Sequence, residues 1–330
     1  MIGLAALASL LCCAAAGSTT SQPATPPTLQ RRQLFAMQSN FWVNLHHFLY
    51  VTARARRGLD ASRPTVASAR ADTAGFGALS AAMRADWDTA LAYYTRAIAE
   101  RDILFDSALV VVNVALSHVV SDSVGGVTLD PDIARALQRG APAYRALWWP
   151  QHDAANRRWI AAVQPLLDQH GDSAAAWEAR TFTVAWPNEP VPVDVTAYAN
   201  WAGAYTTEGP SHITISSLNA DNQGTAAFEI LFHEVLHTMD RPLFERYRSA
   251  ARDQGKRMLR DPTHPFIFYT AGEVSRRLFP GHVPYAEAVG LWQRAQGLGA
   301  MRALLQRHWQ PWLDGKISLD EALRRIAADL

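Results

Sequence analysis

The chain contains the stretch Phe228-Glu229-Ile230-Leu231-Phe232-His233-Glu234-Val235-Leu236-His237-Thr238-Met239-Asp240, in which His233, Glu234 and His237 follow the pattern HExxH. On an α-helix, residues four positions apart lie on one face about one turn apart, so both imidazoles can reach a single ion while the carboxylate lies beside them. Neutral imidazole suits Zn²⁺, and a neighbouring carboxylate can take a proton from metal-bound water. The stretch therefore predicts a helix that carries a zinc site, and it indicates hydrolysis.

The residues around this pattern predict that the helix is buried. Residues 230–232 before the motif and 235–236 inside it are all apolar, which makes the helix apolar on nearly all sides. Two histidines and a glutamate in such a place need partners, because an unpaired polar group costs free energy in an apolar interior. A metal ion would supply them. The alternative is that His233 and His237 are hydrogen-bonded core residues and Glu234 is a paired carboxylate.

Length and composition narrow the class of protein. A chain of 330 residues can form one large domain or two closely packed ones. The net charge of +1 gives no indication of nucleic acid or of an acidic surface as a partner. The chain has 11 Trp and 12 Phe for a core, and charged residues make up 18%. This composition is typical of an ordinary globular protein.

The N-terminal residues have the pattern of a signal peptide. The first 30 residues carry no charged side chain, and residues 2–16 are apolar or small. This length is typical of the apolar part of a signal peptide and is too short for a bilayer span, although the usual positive charge at the start is missing. We therefore expect residues 1–17 to be a signal peptide, the protein to be exported to the periplasm or secreted, and the mature chain to have no integral membrane span.

Both cysteines, Cys12 and Cys13, lie within this leader. The mature chain would contain no thiol, so neither a disulfide nor a cysteine metal ligand is expected. A cysteine at this place can also be the lipid-attachment site of a bacterial lipoprotein. The preceding residues Ser9-Leu10-Leu11 match that pattern poorly, so lipid anchoring through either cysteine is the less favoured alternative.

The rest of the first half predicts a tether followed by helices. Residues 18–28 are rich in Ser, Thr and Pro and predict a flexible tether, and residues 29–185 predict a helical body. Its first helix is expected from Leu29 to about Arg57, with His46 and His47 as candidates for lining a cleft or, less favoured, for binding metal. Further helices are expected at about 80–101, 103–120, 131–139, 141–169 and 173–182.

The pattern changes at residue 186. Prolines interrupt the helical periodicity, residues 191–199 alternate in the manner of a strand, and a second strand is expected at 212–216 before the metal helix. Residues 186–330 form the second predicted region, which ends in helices at about 284–296, 299–309 and 318–328. The predicted fold class is mainly α with a small β element (α+β).

The region from about residue 191 to 278 resembles the zincin metallopeptidases in its HExxH motif and the strand before it. That resemblance implies Zn²⁺ as the cofactor and a peptide or protein as the substrate. It also implies an edge strand just before the HExxH helix, which holds extended peptide by backbone pairing. Ile213 to Ser217 occupies that place in this chain. The resemblance does not extend to the N-terminal helices.

A catalytic zinc normally has three protein ligands, so a third is needed beside the two histidines of the motif. The metzincin pattern, in which the motif continues to Gly and a third His, is absent, because Thr238-Met239-Asp240 stands in its place. The remaining candidates are Asp240, Glu245, His264 and Glu273.

Glu273 is the favoured third ligand. It is the only acid in the apolar, predicted helical run 264–274, where a carboxylate needs an ion or an arginine to be buried. A glutamate on a second downstream helix also completes His/His/Glu in the gluzincin peptidases, which this arrangement resembles. An ion pair with Arg276 or Arg277 is the plain alternative. Asp240 lies on the same face as His233 and is the next candidate, more plausibly as support for a ligand imidazole.

These residues together predict an exported zinc metallopeptidase. His233, His237 and Glu273 would hold Zn²⁺, and Glu234 would act as general base on the bound water and then pass the proton to the leaving amine. The alternative is a helical binding protein, zinc-containing or metal-free, that retains this helix without turnover.

Peptide hydrolysis also calls for a donor to the oxyanion. His282 and Tyr285 are the leading candidates, because Gly and Pro on both sides suggest a shaped loop over residues 279–285. Tyr269, one turn before Glu273, is a third candidate, although a role as a core aromatic is favoured for it.

Overall fold

Four strands form one sheet in this computed structural model, which describes residues 32–59, 75–207, 209–258, 263–294 and 298–330. The order across the sheet is β1-β2-β4-β3, in which β1, β2 and β4 are parallel and β3 is antiparallel to β4. The predicted signal peptide and tether, residues 1–28, lie outside the described residues. The strands are β1 Phe35–Gln38, β2 Val191–Thr196, β3 Ala204–Thr207 and β4 His212–Ser216.

Helices make up most of the described chain, which confirms the predicted fold class of mainly α with a small β element. Five precede β2: α1 Phe41–Arg56, α2 Ala81–Tyr93, α3 Ser107–Ser117, α4 Pro131–Leu147 and α5 Trp149–Phe182. Eight follow β4: α6 Gly224–His237, α7 Arg241–Asp253, α8 His264–Leu278, α9 Tyr285–Ala288, α10 Leu291–Arg294, α11 Leu298–Leu304, α12 Gln310–Leu313 and α13 Leu319–Ala328. None of these helices is long and apolar enough to cross a bilayer.

The predicted first helix, Leu29 to about Arg57, is wrong for residues 32–40 of the described chain. The Asn40 side chain accepts hydrogen bonds from the backbone N–H groups of Trp42 and Val43, which fixes the start of α1 at residue 41. The residues before this cap form β1 and pair with β2, so the segment predicted as a helical body contributes a strand to the sheet. Residues 32–330 form one compact unit, and strands from both sides of residue 186 pair in its sheet.

The predicted edge strand is also misplaced. β4 pairs with β2 on one side and with β3 on the other, so it lies inside the sheet. The strand at that end of the sheet is β3, which the sequence analysis did not predict. Its four residues are too few to show a clear alternation, and its pairing with β4 is a tertiary contact.

The two faces of the sheet contact different helices because side chains alternate along each strand. Val193 and Val195 of β2 and Ile213 and Ile215 of β4 lie in one apolar core with residues of α5, α6 and α8. The opposite face, which includes Tyr205, packs in a second core with residues of α1 to α4. The sheet is therefore covered by helices on both faces.

The HExxH helix α6 lies against the first of these faces and is buried from Ala227 to Glu234 and beyond, as predicted. Helix α8 packs along it in the opposite direction. Near its C-terminal half, Gly272 of α8 lies close to Glu229 of α6, whereas at its start His264 lies against His233. This antiparallel arrangement brings the first turn of α8 to the last turn of α6.

Candidate metal centre

The two histidines of the motif face each other across one turn of α6. His233 Nε2 and His237 Nε2 are 3.2 Å apart. A tetrahedral ion with metal–nitrogen distances of about 2.0 Å separates its ligand nitrogens by about 3.3 Å. The separation of the two ring nitrogens therefore matches two corners of a tetrahedral metal site.

The third imidazole of the group is that of His264. Among the described residues, His233, His237 and His264 are the group whose metal-ligating atoms all lie within 4.8 Å of one another. The ring of His264 is centred 5.3 Å from that of His233 and 4.9 Å from that of His237. Three nitrogen donors on two helices leave room for a fourth ligand, which is the arrangement of catalytic rather than structural zinc sites.

The structure brings His264, and not Glu273, to the histidine pair. Nine positions on a helix amount to two and a half turns, so these two residues lie on opposite faces of α8. The Glu273 carboxylate lies 3.2 Å from Arg276 Nη2, and burial raises its pKa while Arg276 lowers it. Glu273 thus has the arginine partner that was the plain alternative, and the possible ligands that the structure brings together are His233, His237 and His264.

The other acids considered as ligands have partners elsewhere. Asp240 Oδ2 accepts a hydrogen bond of 2.8 Å from the hydroxyl of Thr263, the residue before α8. This bond fixes the start of α8 beside the end of α6. Glu245 forms an exposed ion pair with Arg248 within α7. Asp240 therefore has a supporting role near the centre, and Glu245 has none there.

His264 was named in the sequence analysis but not favoured. Its signal was its place directly before Pro265, which fits the first turn of a helix. A helix that begins at 264 and packs antiparallel to α6 places that first residue beside His237. Only the packing of the two helices, which is a tertiary property, distinguishes His264 from Glu273.

The protonation state of His233 suits metal binding. Burial, followed by the neighbouring imidazoles of His237 and His264, holds the pKa of His233 well below its ordinary value. Its ring is therefore neutral near pH 7, which is the form that binds a metal ion. The geometry of the three rings and the neutral form of His233 are both compatible with a divalent transition metal.

Glu234 lies beside the histidines and is held by the edge strand. The hydroxyl of Thr206, on β3, donates a hydrogen bond of 2.6 Å to Glu234 Oε2. Burial raises the pKa of Glu234 to about 7, although the Thr206 hydrogen bond and His264 act in the opposite direction. A carboxyl with such a pKa can both accept and release a proton near neutral pH.

An aromatic wall borders the centre on the side of α8. The ring of Phe268 is centred 4.2 Å from that of His233 and stacks on that of His264 at 4.6 Å. The ring of Tyr285 lies parallel to that of Phe268 at 6.3 Å. Burial, with smaller contributions from Asp221, Glu234 and Glu229, raises the pKa of Tyr285 to about 12.

Of the three predicted oxyanion donors, Tyr285 is the one that the structure places by this wall. His282 has both ring nitrogens engaged, with Glu229 Oε2 at 2.6 Å and Thr225 Oγ1 at 2.8 Å. The Tyr269 hydroxyl donates a hydrogen bond of 2.9 Å to Gln310 Oε1. The rings of these two residues are therefore used in contacts between elements of the fold.

The two histidines of α1 do not join the centre. His46 Nδ1 is hydrogen-bonded to the Tyr94 hydroxyl at 2.8 Å, and His47 Nε2 to the Tyr205 hydroxyl at 2.7 Å. Both residues lie beneath the opposite face of the sheet. Comparisons of the chain with protein-family models, with curated proteins and with solved structures gave no significant match.

Proposed function

We propose that this protein is a zinc-dependent metallopeptidase. The observation that carries the proposal is the group of three imidazoles, with His233 and His237 at the nitrogen separation of a tetrahedral site and Glu234 beside them. His233, His237 and His264 would hold Zn²⁺, which when bound polarises water and the substrate carbonyl. We also propose export, because residues 1–17 have the pattern of a signal peptide.

Glu234 is the proton carrier in this proposal. It accepts a proton from the attacking water and returns it to the leaving amine. Thr206 keeps one carboxylate oxygen occupied by a hydrogen bond. The other oxygen is left for the water.

A peptide substrate is favoured because the strand at the edge of the sheet adjoins the proton carrier. Thr206 lies on β3, which pairs with β4 on one side only among the described strands. An extended peptide can add to a sheet edge by main-chain hydrogen bonds, and because all four residues of β3 are buried in this structure, such pairing requires that this edge be uncovered. A peptide paired with β3 would pass beside Glu234, and Tyr285 would donate a hydrogen bond to the oxygen of the reacting carbonyl.

Elemental analysis of the purified full-length chain, combined with peptide turnover, tests this proposal. We expect about one zinc per chain, a loss of zinc in His264→Ala, and retention of zinc in Glu273→Ala. Glu234→Gln should keep its zinc and lose about 10²–10⁴ in kcat on a quenched-fluorescence peptide library. Glu245→Gln, an exposed acid on α7, is the matched control.

The outcomes separate the two functions that the sequence leaves open. A zinc content well below one equivalent per chain in the wild type would contradict the proposed metal site. One zinc per chain in both the wild type and Glu234→Gln, with no peptide turnover by the wild type, would instead identify a non-catalytic zinc-containing binding protein.

A further inference from the structure

Glu229 lies on α6, one turn before the first metal histidine, and is 1% exposed. Two donors converge on its Oε2 atom: His282 Nε2 at 2.6 Å and the backbone N–H of Tyr285 at 2.8 Å. A single carboxylate oxygen thus ties the metal helix to the segment 279–285.

The imidazole of His282 connects this segment to α6 a second time. Its Nε2 donates to Glu229, so its Nδ1 accepts from the Thr225 hydroxyl at 2.8 Å in the neutral ring. The side chain is only 2% exposed. Both ring nitrogens are therefore used to hold the loop against the first two turns of α6.

Helix α8 fixes the same segment from the other side. A Cβ atom at Gly272 would lie 2.7 Å from Pro284 Cβ and 3.3 Å from Glu229 Oε1. Such a distance to Pro284 is too short for real side chains, so glycine is what lets the loop lie directly on α8. The loop is clamped between the two helices that carry the three histidines.

Tyr285 links the hydrogen bonds of this loop to the aromatic wall of the metal centre. Its backbone N–H is bonded to Glu229, while its ring lies parallel to that of Phe268, which in turn contacts the rings of His233 and His264. A main-chain bond at a residue fixes the point from which its side chain projects.

We propose that Glu229 is a positioning residue for hydrolysis: through His282 and the backbone of Tyr285 it holds the Tyr285 ring beside Phe268, at the wall of the metal centre. This inference rests on the proposed function, because Tyr285 acts on the substrate only if the centre is catalytic. Glu229 itself touches neither substrate nor metal. Its contribution is the placement of a donor that must lie within about 3 Å of the reacting oxygen.

The geometry predicts which substitutions preserve the clamp. Both hydrogen bonds go to one oxygen, so Glu229→Gln can accept both with its amide oxygen. Glu229→Ala removes the acceptor and leaves the Tyr285 N–H and the His282 ring without it. Ser275→Ala is the matched control, because Ser275 is 1% exposed on α8 and its hydroxyl has no hydrogen-bond partner among the described residues.

Amide hydrogen exchange tests the clamp without using activity. In the zinc-loaded full-length protein, Glu229→Ala should speed exchange at the Tyr285 amide by at least about tenfold, whereas Glu229→Gln and Ser275→Ala should match the wild type. Zinc content should be the same in all four proteins. Unchanged exchange in Glu229→Ala would overturn the proposal.

A double-mutant cycle tests the link to catalysis. We expect Glu229→Ala to lower kcat by about 10² with little change in KM, and to have less than about a threefold effect when Tyr285 is already Phe. Equal losses of kcat on Glu229→Ala in the wild type and in Tyr285→Phe would overturn the positioning role. If Glu229→Ala does not fold, His282→Gln replaces it in the same cycle, since Glu229 then remains in place. Absence of peptide turnover in the wild type would contradict the proposed function. The hydrogen-exchange experiment would still test whether Glu229 holds the backbone of Tyr285 in place.

Discussion

Buried histidines lie on both sides of the sheet, and His47 on one side differs from His233 and His237 on the other in what surrounds its ring nitrogens. His47 has a protein partner for each nitrogen: Nδ1 donates to the Val43 carbonyl at 2.8 Å and Nε2 accepts from the Tyr205 hydroxyl at 2.7 Å. His233 and His237 instead direct Nε2 atoms at each other.

The difference teaches how to distinguish a structural histidine from a metal ligand. Burial alone does not do so, because His47 is as fully buried as His233 and both have pKa values lowered first of all by burial, that of His47 to about 4. What distinguishes the metal candidates is that each directs a ring nitrogen to within 4.8 Å of the ring nitrogens of the other two, whereas His47 Nε2 is bonded to a hydroxyl group.

Removal of zinc should have the largest effect on stability. A ligand that binds only the native state stabilises it by about 4 kcal/mol when its free concentration is a thousand times Kd. We therefore expect chelation to lower the Tm of the wild type by several degrees, measured by calorimetry, and to leave the Tm of a His233→Ala/His237→Ala variant unchanged. An equal decrease in both proteins would mean that zinc binds elsewhere.

The next largest effect is that of a single ligand. Binding free energies of about 10–16 kcal/mol at four-ligand zinc sites correspond to about 2.5–4 kcal/mol per ligand, or about 10²–10³ in affinity. His264→Ala should weaken zinc binding by that factor in a competition titration. His47→Gln, on the other side of the sheet, should leave the affinity within about twofold, and a comparable loss in His47→Gln would contradict the distinction between the two groups.

A smaller effect, on the free energy of unfolding, is expected for a histidine whose ring nitrogens are hydrogen-bonded to other protein groups. Tyr205→Phe removes the hydroxyl that donates to His47 Nε2 and leaves a buried acceptor without it. Such a loss typically costs about 1–3 kcal/mol. Urea unfolding should show this decrease in the free energy of unfolding with unchanged zinc content. A decrease in zinc content would show that the two faces of the sheet are coupled.

The smallest predicted effect concerns a buried carboxyl whose two oxygens have no hydrogen-bond partner among the described residues, that of Glu178 on α5. Burial, followed by the charge of Glu229, raises its pKa well above the ordinary value of 4.5. The native state keeps this proton while the unfolded state loses it, so stability falls as the pH rises above about 4.5.

Glu178→Gln should remove that dependence. Its Tm should exceed that of the wild type at pH 8, by about 2–4 °C for each kcal/mol of burial cost relieved, and equal it at pH 4. The pair of melting curves at the two pH values is the measurement. An advantage of the same size at both pH values would show that Glu178 is not the titrating group.

The sequence predicted those parts of the molecule that are decided by local periodicity. Helix α6 lies where the HExxH pattern placed it, and β2 and β4 match the alternating runs. Strands β1 and β3 have four residues each, and their identity depends on partners far along the chain. Local propensity carries little information about such pairing.

The break predicted within α5 is absent from the structure, and this difference has another cause. Helices were expected at 141–169 and 173–182, but α5 is continuous from Trp149 to Phe182. Gly171 lies inside it, where a Cβ atom would lie 2.9 Å from Leu34 Cδ1. The glycine serves close packing rather than helix termination, and only the tertiary structure reveals which of the two applies.

The pairing of β1 with β2 also has a consequence for the order of events in synthesis. Phe35 pairs with Val191, about 156 positions further along the chain. At synthesis rates of about 5–20 residues per second, β1 is made about 8–30 s before its partner strand exists. The first of the described strands to be translated therefore cannot pair with β2 until more than half of the chain has been made, and a fragment that begins at residue 186 would carry all three histidines but lack one edge of the sheet beneath them.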